Sequence, residues 1–225
     1  MMFRRKGRPD ETSGLGPVDD TPEVPKVRNR GPWDRSETEA DGEDEAYVDL
    51  GGLIVKGAPN LELRLQVDES SGLVAAVLLA GPESGLELRA FAAPRSSGIW
   101  DDVRHDIAAE AARRGGSATE LDGSFGPELK VVVPAQTPEG LKATQTSRIV
   151  GVDGPRWMLR GTFLGKSATE AGADEVLDQA FRDVIVVRGD SPMAPRAMIT
   201  MHMPDQSRSA WDESGSDATT HAAEQ

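Results

Sequence analysis

Residues 61–92 read LELRLQVDESSGLVAAVLLAGPESGLELRAFA. In residues 61–67, Leu and Val alternate with Glu, Arg and Gln, and this period of two is typical of a strand with one buried face. A turn at 69–72 leads to the apolar run 73–79, and a turn at 81–85 leads to a second alternating run that reaches Ala92. The stretch therefore predicts three consecutive antiparallel strands joined by short turns.

Two amphipathic helices are predicted after this meander. The first begins after a capping Ser96 or Ser97 and ends at Gly115, with an apolar face formed by Ile99, Trp100, Val103, Ile107 and Ala111. The second is predicted over 168–183, with an apolar stripe formed by Ala173, Val176, Leu177, Ala180 and Phe181. Asp178 is expected to face water.

Further strands complete the pattern, at 128–133, 145–152, 157–163, 184–187 and 197–203, and the apolar stretch 47–55 precedes the meander. Strand runs interrupted by two helices predict an α+β domain over residues 46–204, a mainly antiparallel sheet with two amphipathic helices packed on it. Residues 1–45, rich in acids and Pro, and residues 205–225 lack apolar periodicity, so both are expected to be disordered. Residues 31–34 extend the fold if the Trp33 ring docks on the domain.

The composition limits the functional classes. The 225 residues carry a net charge of −13, which argues against a protein that coats nucleic acid. The absence of Cys excludes a thiolate zinc site, a disulfide framework and a Cys nucleophile. No apolar run reaches the length of a membrane helix, and the basic stretch 4–8 precedes no apolar segment of the kind found in signal peptides. We therefore expect a cytoplasmic protein.

Catalytic and metal-binding patterns are missing from the sequence. His105, His202 and His221 do not have the spacing of metal ligands, and His105 is expected on the solvent side of the first helix. No phosphate-binding or nucleophile-elbow motif follows a predicted strand. We therefore predict no metal, no cofactor and no catalytic residue, and we favour a protein that is not an enzyme.

Several phrases occur together in this chain: AFAAPR at 90–95, GIWD at 98–101, GVDGPRW at 151–157, LRG at 159–161, VVRG at 186–189 and MAPR at 193–196. In combination they resemble an uncharacterised actinobacterial family, domain of unknown function 3710, over residues 31–204. The resemblance implies a cytoplasmic actinobacterial protein and supplies no catalytic residues. The strand and helix order at 145–187 also gives a fold-level analogy with the Mog1/PsbP type of sandwich, which carries no function.

Five arginines stand beside Gly or Pro at, or close to, predicted element boundaries: Arg95, Arg156, Arg160, Arg188 and Arg196. Arg95 and Ser97 precede the predicted start of the first helix, where main-chain N–H groups and a guanidinium can hold a phosphate or a carboxylate. If the strand ends converge, these six residues form an anion pocket. Alternatively, the arginines pair with the many carboxylates and fix the loops.

Three functions follow from these patterns. The first is a non-enzymatic interaction module that binds another protein, which the acidic arms and the lack of a catalytic constellation favour. The second is a small-anion or nucleotide-binding protein that uses the arginine set. The third is a weak nucleic-acid accessory protein that uses its basic segment 4–8.

Overall fold

The computed structural model describes residues 30–40, 46–96, 98–170 and 175–204. Within these ranges the strands are β1 Trp33–Asp34, β2 Tyr47–Asp49, β3 Leu53–Lys56, β4 Glu62–Val67, β5 Val74–Ala80, β6 Ser84–Ala92, β7 Ser117–Gly123, β8 Gly126–Gln136, β9 Lys142–Gly154, β10 Trp157–Gly165 and β11 Ile185–Val186. The helices are α1 Trp100–Arg113, α2 Lys166–Thr169 and α3 Glu175–Arg182, and a short 3-10 helix spans Arg35–Glu37.

The strands form two sheets. The main sheet has seven antiparallel strands in the order β4-β5-β6-β10-β9-β8-β7, and the small sheet has the order β1-β11-β3-β2. In the small sheet β1 runs parallel to β11, and the other pairs are antiparallel. The predicted meander is confirmed as β4-β5-β6, and the fold is of the predicted α+β kind, rich in antiparallel sheet with a few helices.

The main sheet buries apolar side chains on both faces. On one face, Leu159 and Phe163 of β10 pack with Phe181 of α3 and with Val55 and Val186 of the small sheet. The other face is covered by α1, which lies over β7, β8 and β9. There the predicted apolar face of α1 is confirmed, because all five of its members pack against a cluster that includes Leu129, Val131, Ile149 and Met158.

Two glycines in the β9–β10 hairpin allow aromatic rings to lie directly on the sheet. Gly151 of β9 lies under the ring of Trp100, and Gly161 of β10 lies under the ring of Phe181. A Cβ at Gly161 would stand 2.7 Å from Cε2 of Phe181, which is closer than real side chains approach. The two glycines are on neighbouring strands and face opposite sides, so this hairpin positions both covering helices.

The N-terminal cap of α1 differs from the prediction. The helix begins after Ile99, and no described side chain of the preceding segment caps it. Instead, the carboxylate of Asp153, at the end of β9, accepts hydrogen bonds from the main-chain N–H groups of Ile99 at 2.9 Å and Trp100 at 3.2 Å. The prediction of a Ser96 cap is therefore wrong, because an acceptor distant in sequence fills that role, and Ser97 lies outside the described residues.

Three other elements depart from the sequence pattern. β7 was not predicted, and residues 197–203 form two isolated bridges, Val74–Met201 and Phe91–Met198, rather than a strand. The second predicted helix is described as α2 and α3, with residues 171–174 outside the described part. Val176 of α3 is exposed instead of lying in the apolar stripe, and Asp178 pairs with Arg148 of β9 at 3.0 Å instead of facing water alone.

Residues 31–34 belong to the folded core. The N–H of Trp33 donates to the carbonyl of Val184 at 2.8 Å, and the Asp34 carboxylate accepts a hydrogen bond from Nε1 of the buried Trp157 at 2.6 Å. These contacts add β1 to the small sheet. The rest of the predicted arm and tail, at 1–29, 41–45 and 205–225, lies outside the described residues.

Replacing Gly151 or Gly161 by Ala is expected to lower the free energy of unfolding by about 1–3 kcal/mol in each case, because the added methyl group displaces an aromatic ring from the sheet. Urea denaturation followed by circular dichroism measures the change.

Gly85→Ala on β6 is the matched control. Its added Cβ would lie 3.4 Å from Cδ1 of Leu78, an ordinary contact, so a change within about 0.5 kcal/mol is expected. Equal losses at all three positions would contradict the role assigned to the two hairpin glycines.

Candidate functional site

A groove of about 560 Å³ lies between α1 and the main sheet, and we name it the α1 groove. Its wall on α1 includes Val103, Asp106, Ile107 and Glu110, and its floor includes Glu87, Ser147, Ile149, Arg160, Thr162 and Leu164. The floor residues come from β6, β9 and β10, the three central strands of the main sheet. The groove therefore joins one side of the helix to the middle of the sheet.

The groove exists because α1 covers only part of its face of the sheet. The helix lies over β7, β8 and β9. On the same face, the side chains of β10 and β6 beside it, such as Arg160, Leu164 and Glu87, are only half-buried. Alternation along β10 places Trp157, Leu159 and Phe163 in the core between the sheets, so Arg160 and Thr162 point to the α1 side. The floor is therefore a mixture of apolar, hydroxyl and charged side chains.

The three carboxylates that line the groove each have an arginine partner. The closest N–O distances are 2.8 Å for Glu87–Arg89, 2.7 Å for Asp106–Arg196 and 2.6 Å for Glu110–Arg113. Ion pairs this close neutralise the acidic groups of the lining. The groove therefore does not share the net negative charge of the whole chain.

Arg160 is the exception among the charged groups of the floor. Its Nε is buried and has no hydrogen-bond partner in the described part of the chain, and its Nη2 stands 3.9 Å from Oε1 of Glu87. The guanidinium lies over the Phe91 ring, 5.4 Å from the centroid. Burial lowers the pKa of Arg160, the positive charge of Arg89 lowers it further, and Glu87 opposes both. This side chain retains hydrogen-bonding capacity that its surroundings do not use.

The other predicted arginines lie away from the groove floor. The carbonyl of Arg156 accepts from the N–H of Ala93 at 2.8 Å, and the N–H of Arg196 donates to the carbonyl of Ala92 at 2.8 Å. The end of β6, two to three residues before Arg95, is therefore hydrogen-bonded to the β9–β10 turn and to the loop before residue 197. We call this edge of the main sheet the rim. Arg95 is exposed at this rim of the main sheet.

Main-chain carbonyls hold Arg156 and Arg188 in place. Arg156 donates through Nη2 to the carbonyl of Gly189 at 2.7 Å, and Arg188 donates through Nη1 to the carbonyl of Ser191 at 3.1 Å. Arg196 instead bridges to Asp102 and Asp106 of α1. Four of the five arginines thus belong to the rim or to the loop beside it, whereas Arg160 lines the α1 groove.

The predicted anion cradle at the start of α1 is already filled. The Asp153 carboxylate occupies the main-chain N–H groups of Ile99 and Trp100, and Asp101 stands in the same turn. An added anion would have to displace Asp153 and overcome repulsion from Asp101. Ser97, the remaining predicted member of this cradle, lies outside the described residues.

A second cavity of about 670 Å³ lies beside α3, between residues such as Lys56, Pro59 and Gln179. Among the described residues, no group of three or more His, Cys, Asp or Glu side chains could hold a metal ion. His105 is exposed, and its Nδ1 lies 2.7 Å from the carbonyl oxygen of Asp101 in its own helix.

Sequence reasoning missed Glu87 and Arg89, the two partners that define the surroundings of Arg160. Arg89 is the direct neighbour of Arg160 across the β6–β10 pair. Alternation along β10 contained a usable signal, because Arg160 faces away from the buried residues of a central strand. The register that brings Arg89 beside it depends on a pairing between residues 71 positions apart in the chain.

A family model described as a protein of unknown function, DUF3710, matches residues 31–210. The chain belongs to the DUF3710 family. The match begins two residues before β1, so it includes the first strand of the small sheet. No curated protein matches this DUF3710 chain. Among its described residues, no helix is both long and apolar enough to cross a membrane.

The unused donor of Arg160 gives a stability prediction for this DUF3710 protein. Arg160→Met is expected to leave the free energy of unfolding unchanged, or to raise it by up to about 1 kcal/mol, because it removes a desolvated charge and keeps the contact with Phe91. Urea denaturation of the full chain measures this.

Arg89→Met is the matched comparison on the neighbouring strand. It leaves Glu87 without its closest cation and is expected to lower the free energy of unfolding by about 1–3 kcal/mol. A loss of that size in Arg160→Met would show that Arg160 serves the fold itself.

Proposed function

We propose that the DUF3710 domain is a non-enzymatic protein-interaction module and that its α1 groove binds a segment of another protein. The observation that carries this proposal is the half-covered face of the main sheet, where side chains of β10 and β6 beside α1 are only half-buried. An uncovered part of a sheet that is lined partly by apolar side chains is a typical place for a partner to pack.

The dimensions of the groove suit a short segment. From Arg160 to Leu164 the floor follows five residues of β10, which span about 13 Å at about 3.3 Å per residue. The volume of about 560 Å³ lies in the range of sites that enclose a few side chains. Val103 and Ile107 offer apolar contacts on one side, and the hydroxyl groups of Ser147 and Thr162 offer hydrogen bonds on the other.

A small-anion or nucleotide site is the second candidate, and the pair formed by Arg156 and Arg188 favours it. Burial lowers the pKa of Arg188, and the nearby charge of Arg156 adds to the effect. The Nε of Arg188 is buried without a hydrogen-bond partner among the described residues. A thermal midpoint that rises with ATP or inorganic phosphate, and does not rise in Arg188→Gln, would favour this candidate over the first.

The remaining proposals rest on the sequence. A weak nucleic-acid accessory role would use the basic segment 4–8, which lies outside the described residues. A cytoplasmic location and an actinobacterial source follow from the family resemblance, and the Mog1/PsbP analogy remains a comparison of element order alone.

Site-specific crosslinking tests the protein-interaction proposal. A photoreactive amino acid at Gln145, an exposed residue that lines the α1 groove, is expected to give a discrete adduct with a second protein in a lysate of the source organism. Thr144 is the matched control, because it is exposed on the same strand and faces the opposite side of the sheet.

Thr162→Trp, which fills the groove, is expected to abolish the Gln145 adduct without changing the unfolding transition. Equal adducts from Gln145 and Thr144 would contradict a specific groove, as would an adduct that survives Thr162→Trp. A crosslinked product with the mass of one chain would instead show that the groove holds a segment of the protein itself.

A further inference from the structure

β7 forms one edge of the main sheet, and beyond it no strand lies among the described residues. Its seven residues, Ser117–Gly123, pair with β8 in regular register and include no Pro and no Lys. The opposite edge, β4, differs, because its register shifts between Gln66 and Val67 and it carries an exposed Glu62–Arg64 ion pair. A long, regular edge such as β7 is a template on which a further strand can pair.

The main-chain groups of every second residue in β7 point away from β8. Asp122 stands opposite Pro127 in the register. Pro127 has no N–H group, and its carbonyl accepts from Nε1 of Trp100 at 2.8 Å, so this pair lacks main-chain hydrogen bonds. In an antiparallel ladder such pairs alternate with bonded ones. The N–H and C=O groups of Ala118, Glu120 and Asp122 therefore face the free edge.

The side chains of these three residues point towards α1, and two of them are acidic. Glu120 pairs with Arg104 of α1 at 2.9 Å, and Arg104 also pairs with Asp101 at 2.9 Å. Asp122 is exposed and has no ion pair in the part of the chain that the structure describes. It lies next to the β7–β8 turn, at the opposite end of the strand from Arg114. This side of the edge can therefore accept further positive charge.

A second copy of the chain is a poor partner for this edge. Pairing the whole of β7 with its counterpart about a two-fold axis places the two Glu120 side chains directly opposite each other. Like charges in that position destabilise a strand pair, whereas opposite charges stabilise it. The acids of β7 therefore oppose self-association and favour a strand that carries basic residues.

We propose that β7 binds an extended segment of a partner protein in which basic residues alternate with apolar ones. Facing residues of adjacent strands have their side chains on the same side of the sheet, so the basic residues lie beside Glu120 and Asp122. The intervening residues lie on the other side, where Leu121 is 43% exposed. There Lys130 of β8 stands opposite Thr119 and disfavours further cations. Strand addition to a sheet edge is a general mode of peptide recognition.

Two capped peptides with the length of β7, seven residues, provide the test on the full-length protein. In one peptide Lys alternates with Val, and in the other four Lys precede three Val. The alternating peptide is expected to bind at least about 10-fold more tightly, because only it places all its charges on one side when paired with β7. The block peptide is the control for the general attraction of a basic peptide to a chain with a net charge of −13.

Amide hydrogen exchange locates the bound peptide. In the free protein, the amides of Ala118, Glu120 and Asp122 are expected to exchange faster than those of Thr119 and Leu121, which the ladder directs to β8. The alternating peptide is expected to slow exchange at the first three by at least about 10-fold and to leave the other two unchanged.

Asp122→Pro and Asp122→Asn separate the main-chain contribution from the charge. Both remove the carboxylate, but only Pro removes the outward N–H, a change that edge strands tolerate. Asn is expected to weaken binding of the alternating peptide by about 3-fold, and Pro to abolish its advantage over the block peptide. Urea denaturation checks that both variants fold. Glu120→Pro with Glu120→Gln gives the same comparison if Asp122→Pro does not fold.

Equal binding of the two peptides would overturn the proposal, as would binding that leaves exchange of the three outward amides unchanged. Outward amides that are already protected in the free protein would also overturn it. Such protection would show that the chain covers its own edge, or that a second copy does if the protection grows with protein concentration. β7 contributes no residue to the α1 groove, so the Gln145 adduct reports on the proposed function separately.

Discussion

The close approach of aromatic rings to both faces of the β9–β10 hairpin is the constraint on which the rest of the structure depends. Trp100 can lie on β9 because Gly151 has no side chain, and Phe181 can lie on β10 because Gly161 has none. The Trp100 Nε1 also donates to the carbonyl of Pro127 at 2.8 Å, and Asp153 caps the same helix. Two adjacent strands thereby fix the helices of both layers.

The α1 groove follows from that placement. Because Trp100 settles on β9, α1 extends over β8 and β7 instead of over β10 and β6. On the opposite face, Arg148 of β9 pairs with Glu128 at 3.1 Å and with Asp178 at 3.0 Å, which ties α3 to the hairpin. On its own face α3 reaches β6, whereas α1 lies over β7, β8 and β9, so the two helices are centred on different parts of the sheet. The open strip contains Arg160, whose charge the fold does not neutralise closely.

Local patterns predicted most of the fold, and distant contacts account for what they missed. The meander and the apolar face of α1 are periodic over many residues, so their burial could be read directly. β7 escaped prediction because it is an edge strand in which few side chains are buried. The cap of α1 comes from Asp153, more than fifty residues away, and no local rule for caps reaches that far. The same holds for the site. The alternation along β10 indicates which way the Arg160 side chain points, but no local pattern indicates that Arg89 lies beside it.

The parallel pair of β1 and β11 has a consequence for synthesis on the ribosome. Trp33 and Asp34 contact Ile185, Val186 and Trp157. The first described strand therefore cannot pair until one of the last strands has been synthesised. Contacts at such sequence separation form slowly, since a long loop must close before they are gained. The main sheet can assemble strand by strand as it emerges, but the small sheet cannot close until residue 186 has left the exit tunnel. Until then Leu159 and Phe163 of the main sheet lack the packing of Val186 and Phe181, and exposed apolar surface of this kind is prone to aggregation.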